Sequence, residues 1–139
     1  MQIELSQHVA ARPERVFDLY TDHLGWEKWA GVKEVVLRQT GDPPPNGLGA
    51  IRVIRARGIA LEEEVTAFDP PRRMEYRLVA GAPIRDHHGV VRFEPDGAGT
   101  RVTWSIRFRP LLPGTGWILR AVLERAVRDV LARLAAKLA

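Results

Sequence analysis

The residues of this chain most able to do chemistry are few, and they sit on segments that alternate polar and apolar side chains. Glu63 is the middle member of Glu62-Glu63-Glu64 and shares its phase with Leu61 and Val65. A carboxyl held among apolar side chains has a raised pKa and can act as a general base or receive a ligand's donor. The alternative is that the glutamate run sits at a rim or pairs with arginines across a sheet. Tyr76, in phase with Met74 and Leu78, offers an aromatic wall with a hydroxyl handle, or a buried phenol bonded to a carbonyl. Asp86-His87-His88 is the densest titratable cluster. Adjacent strand residues point to opposite faces, so the two histidines cannot chelate one ion. His87 alone is in phase with Val91 and Phe93, and Glu63 is the only charged partner available to it as a proton shuttle. Glu63, His87 and Tyr76 are therefore candidate acid–base groups, with no catalytic residue assigned.

Several chemistries are excluded or unsupported. There is no cysteine, so disulfides, thiol nucleophiles and thiolate metal sites are absent. His8 and His23 are isolated, and no histidine–carboxylate spacing resembles a zinc site. Ser6 and Ser105 lie in no nucleophile elbow. The Gly41–Gly49 loop lacks the lysine and hydroxyl of a phosphate-binding loop. Neither a metal nor a cofactor is expected.

The elements that must position these residues can be read in order. Residues 2–9 alternate as a strand, Pro13 opens a short helix with Val16, Phe17 and Tyr20 on one face, and 22–29 is a second short helix or turn. Residues 32–39 form the next strand. Three prolines make 41–47 a loop. Strands follow at about 49–57, 59–68, 72–80, 85–94 and 100–109, joined by gaps short enough for hairpins. Gly116 to Leu138 carries an apolar stripe at helical spacing for over five turns. The spacing predicts an α+β fold: a curved antiparallel sheet of about seven strands wrapped around one long C-terminal helix, with two short helices after the first strand. One helix cannot cover so much sheet, which leaves a cavity. Strand phase turns Ile51, Val53, Leu61, Val91, Trp104 and Phe108 toward it. Val122 on the helix and the flat rings of Trp29 and Trp117 complete the expected lining.

Composition agrees with a single domain over 1–139. The hydrophobic content is 45% and the formal charge +4. Only Lys28, Lys33 and Lys137 are lysines, and the arginines are spread opposite apolar positions rather than gathered. That pattern is a solvated outer face and argues against nucleic acid. With no signal-peptide pattern and no run of 18 apolar residues, the expectation is a cytoplasmic protein, monomer or homodimer, that does not span a membrane.

Ala11-x-Pro13-Glu14-x-Val16-Phe17, Trp26-x-x-Trp29-x-Gly31, Gly49-x-x-Arg52, Glu64-Val65-Thr66, Phe68-Asp69-Pro70-Pro71-Arg72-Arg73-Met74-x-Tyr76 and Gly99-Thr100-Arg101-Val102-Thr103-Trp104 resemble the START-like helix-grip superfamily. The closest group in character is the bacterial polyketide cyclase/dehydrase and lipid-transport proteins. The resemblance implies one START-like ligand-binding domain that carries or senses a lipid, acyl or polycyclic molecule. It also admits a polyketide cyclase/dehydratase-type enzyme, or a protein- or RNA-interaction module of the co-chaperone or ribosome-associated type.

Overall fold

The computed structural model describes residues 1–139. Strand β1 (Gln2–Val9) leads to helix α1 (Pro13–Thr21), a short 3₁₀ helix (Leu24–Lys28) and strand β2 (Glu34–Gln39). Strands β3 (Ile51–Ala56), β4 (Ile59–Asp69), β5 (Arg73–Ala80), β6 (Ile84–Asp96) and β7 (Gly99–Pro110) follow, and helix α2 (Gly116–Lys137) closes the chain. The seven strands form one antiparallel sheet in the order β1-β7-β6-β5-β4-β3-β2. From β2 to β7 it is a meander, and β1 returns to pair with β7. The expected boundaries hold to within about three residues.

Helix α2 lies in the concavity. Val127, Leu131, Leu134 and Leu138 pack into a core with Ile3, Val102 and Phe108, while Phe17, Tyr20, Trp26 and Phe93 make an aromatic cluster under α1. Pro13 occupies the first turn of α1, where a missing N–H costs nothing. No helix is long and apolar enough to cross a membrane.

The inward phases expected for β5 and β7 are the observed ones: Met74 and Tyr76, and Val102, Trp104, Ile106 and Phe108, are all buried. Strand β3 differs. Arg52 and Ile54, not Ile51 and Val53, face the space under α2. The cause is register. The β3–β4 hairpin turns on Arg57 and Gly58, both with positive φ, so Ala56 pairs with Ile59 and Arg52 falls opposite Glu63. Residues directly opposite in a sheet share a face, so an inward Glu63 requires an inward Arg52. Val53 is consequently turned to the outer face, half-buried, and Ile51 is buried but lies outside the hollow.

Candidate functional site

Between α2 and strands β3–β7 lies an inner chamber of about 130 Å³. Ile54, Leu61, Ile106, Leu123, Ala126 and Val130 give it apolar walls, and Trp26, Arg52, Glu63, Tyr76, His87 and Trp104 line its remaining surface. It adjoins an outer hollow of about 270 Å³, with which it shares Val32, Ile54, Ala56, Leu61, Leu123, Ala126 and Val130. The outer hollow opens between Arg57 and Ile59 of the β3–β4 hairpin, Ala82 and Pro83 of the β5–β6 turn, and Val122 of α2. The two hollows thus lie side by side, an apolar mouth outside and a polar end within.

Arg52 organises that polar end. Its side chain is almost fully buried, and its Nε donates to Glu63 Oε1 at 3.0 Å while Nη2 lies 2.9 Å from the same oxygen. Nη1 donates to His23 Nδ1 at 3.2 Å. The guanidinium carbon sits 4.6 Å from the Trp26 ring centroid, 5.1 Å from Tyr76 and 5.8 Å from Tyr20. Electron-rich ring faces thus take the place of water around the cation. Burial works against the charged guanidinium, but the facing Tyr20 and the Glu63 carboxylate more than offset it, and the pKa of Arg52 is raised.

His23 is locked by this arrangement. Its Nδ1 accepts from Arg52, so the neutral ring carries its proton on Nε2, which donates to the Asn46 carbonyl at 3.0 Å. Burial first, and the Arg52 charge second, lower its pKa to about 3. Asn46 belongs to the proline-rich loop, so the pair of bonds ties that loop to the polar end of the chamber.

Tyr76 Oη accepts from Trp104 Nε1 at 2.8 Å and keeps its own hydrogen. Gly89 makes room for it: Gly89 is the register partner of Tyr76, and a Cβ there would lie 2.4 Å from the ring. Burial, and then the Glu63 charge, push the Tyr76 pKa well above the usual phenol value. Burial likewise takes the Tyr20 hydroxyl up to about 12 against the pull of Arg52. That hydroxyl makes no hydrogen bond of good geometry, and the nearby Arg52 is the donor that pulls on it.

His87 accepts the Leu78 N–H on Nδ1 at 3.0 Å, and its ring packs 5.3 Å from that of Tyr76. Burial lowers its pKa, partly countered by Glu63. The neutral ring must then carry its hydrogen on Nε2. His88 points to the outer face and meets Glu75 at 2.8 Å, the opposite orientation that strand geometry demands. No three His, Asp or Glu side chains converge as a metal site.

Of the residues the sequence nominates, Glu63, Tyr76, His87, Trp104 and Leu61 come together at the chamber, and Val122 lines the outer hollow. Trp29, Val91 and Phe108 are buried in the core beside it without lining it. Trp117 is 70% exposed. It follows Gly116 at the start of α2, two residues from Leu119, and two residues turn a helix by roughly 200°. When Leu119 faces the hollow, Trp117 faces away. Sequence reasoning passes over Arg52, Tyr20 and His23. The two-residue Arg57-Gly58 turn was the available signal for Arg52, since it fixes the pairing with Glu63.

A curved antiparallel sheet gripping a C-terminal helix around a hollow defines a START-like helix-grip protein. The chain belongs to the polyketide cyclase/dehydrase and lipid transport family, whose model matches residues 1–139. It is 29% identical over 136 residues to uncharacterized proteins of Mycobacterium tuberculosis and Mycobacterium bovis, covering 91% of this chain and 77% of theirs. Among solved structures it is similar to a START superfamily protein from Mycobacterium smegmatis, with a TM-score of 0.83 at 12% identity over 99% of this chain and 96% of that one. It is also similar to the Zhui aromatase/cyclase from Streptomyces sp. R1128, with a TM-score of 0.82 at 18% identity over 99% and 92% of the two chains. At these identities the structural likeness speaks to the fold.

Proposed function

We propose that the protein binds an apolar small molecule whose single polar end is neutral and is received by Arg52, Tyr76 and His87. The observation that carries this reading is the unspent donor set at the end of an apolar chamber. Tyr76 keeps its hydroxyl hydrogen, His87 keeps its Nε2–H, and Arg52 Nη2, although 2.9 Å from Glu63 Oε1, makes no hydrogen bond of good geometry. A carbonyl or hydroxyl oxygen on the ligand would give these donors an acceptor, the buried Arg52 Nη2 most of all. The charge balance favours a neutral group. Glu63 already neutralises Arg52, both histidines are neutral, and a carboxylate brought here would add an uncompensated buried charge. A carrier or sensor of a lipid, acyl or polycyclic compound fits this arrangement.

A cyclase or dehydratase reading requires a base. Arg52 holds Glu63 through Oε1, and His87 spends its lone pair on Leu78 N–H, so a base here would have to act through Glu63 Oε2 alone. The arrangement therefore supports binding more directly than enolisation. Titration with the matched pair 2-acetonaphthone and 2-naphthoate tests the reading, with quenching of tryptophan emission as the signal. The ketone should bind at least about 10-fold more tightly, and Glu63→Gln should shift affinity without creating or abolishing any turnover. Equal or tighter binding of the carboxylate would contradict the neutral-end assignment.

A further inference from the structure

The mouth end of the molecule is unlike the rest of its surface. Of the exposed large apolar side chains, Ile59, Leu111, Leu112, Trp117, Ile118 and Val122 gather there. The topology explains the grouping. In an antiparallel sheet, the end of β7, the start of β6, the end of β5, the start of β4 and the end of β3 all meet at one edge. The β7–α2 loop is fastened to that edge by the Leu111 N–H, which donates to the Pro83 carbonyl at 3.0 Å, and Pro83 itself borders the outer hollow. Leu111 and Leu112 on the loop, Trp117 and Ile118 on the first turn of α2, and Ile59 and Val122 at the opening therefore crown the same end. Scattered exposed apolar side chains need no explanation, but a concentration of this kind marks a contact surface.

Charge identifies what the contact is made with. Arg57, Arg85, Arg109 and Arg120 are all exposed around this crown. Two carboxylates answer them, and both do so weakly: Asp86 lies 3.9 Å from Arg109 and Glu124 lies 3.9 Å from Arg120. Four arginines against two carboxylates leave the rim an excess of positive charge, and exposed pairs at that distance hold it only weakly. Apolar side chains at the centre, a tryptophan among them and an arginine fringe are the complement of an anionic lipid surface, where aromatic rings settle at the headgroup level and arginines reach the phosphates. A second copy of the chain would face the same arginine fringe and be repelled by it. We infer that this end docks peripherally on an anionic bilayer and presents the outer hollow to the lipid. An apolar ligand would then enter the hollow without crossing bulk water.

The inference does not depend on which ligand the chamber holds, and its test is separate. Flotation of the intact chain with phosphatidylcholine vesicles, with and without about one-third phosphatidylglycerol, measures the docking. Binding to the anionic vesicles should exceed binding to neutral ones by at least about 10-fold and should fall as salt is raised from 0.1 to about 0.5 M. Phosphatidylglycerol brominated on its acyl chains should quench part of the tryptophan emission, and Trp117→Phe should remove that part. The double variant Leu112→Ser/Trp117→Ser should lose about 10-fold or more in vesicle partition while binding 2-acetonaphthone as the unaltered chain does. Absence of vesicle binding would overturn the inference. So would undiminished partition of the double variant, or a dimer in light scattering that Trp117→Ser dissolves.

Discussion

Glu62, Glu63 and Glu64 are consecutive, yet each meets a different arginine, and the three pairs divide between two environments. On the outer face Glu62 meets Arg38 at 2.8 Å and Glu64 meets Arg77 at 2.7 Å, with both arginines more than half exposed. On the inner face Glu63 meets Arg52 in a cage of Trp26, Tyr20 and Tyr76. The distances are nearly the same; the surroundings are not. The outer pairs exchange water for one another at little net gain, whereas each member of the inner pair has no water to fall back on. The comparison teaches that position on the strand, not chemistry or distance, separates an exposed surface pair from a buried structural one.

The difference can be broken first at the inner pair. Arg52→Met should leave Glu63 as an unpaired buried carboxylate and lower stability by about 3–5 kcal/mol in urea unfolding. It should also remove the His23 contact and weaken 2-acetonaphthone binding. A loss below about 1 kcal/mol would place the inner pair with the outer ones.

Acid should act on the same centre through His23. Its folded pKa lies near 3, below the unfolded value near 6.5. The unfolded chain therefore binds the extra proton first, and stability falls with falling pH. The contribution is complete above about pH 6.5 and is lost progressively toward pH 3, amounting to a few kcal/mol. His87, lowered in the same direction, adds to the trend. Urea midpoints at pH 7 and pH 4 measure it, and His23→Gln should flatten the profile. An unchanged slope in that variant would remove His23 from the account.

Gly89→Ala should come next, at about 1–3 kcal/mol, because its methyl would meet the Tyr76 ring and push it off Trp104. Smallest of all, Arg77→Ala should cost less than about 1 kcal/mol and leave ligand binding intact. Thermal or urea melts of both variants complete the series, and a larger loss for Arg77→Ala than for Gly89→Ala would reverse its order.

Much of this was legible in the sequence, for reasons that vary by element. Strands β5 and β7 alternate cleanly, so Tyr76 and Trp104 could be aimed inward from pattern alone. Strand β3 could not be phased in the same way, because Ile51, Val53 and Ile54 put apolar side chains on both faces. There the hairpin register decides, and it turns a buried position over to an arginine. Arg52 also defeats a rule of composition: arginine is among the residues least often buried, and only the carboxylate opposite and the aromatic rings make the exception tolerable. Tyr20 and His23 reach the site from before the meander, a juxtaposition set by packing over long sequence separation, which no local pattern encodes. Trp117 was drawn to the cavity by its residue type, whereas helical phase sends it outward.

The central claim is that an apolar ligand occupies the chamber above Arg52 and Glu63, and filling that chamber tests it most directly. Leu123 lines both the inner chamber and the outer hollow and makes no polar contact there. Leu123→Trp should keep a cooperative urea transition while blocking the space, and 2-acetonaphthone affinity should fall by about 10-fold or more. A folded Leu123→Trp protein that binds the ketone as tightly as the unaltered chain would contradict the account.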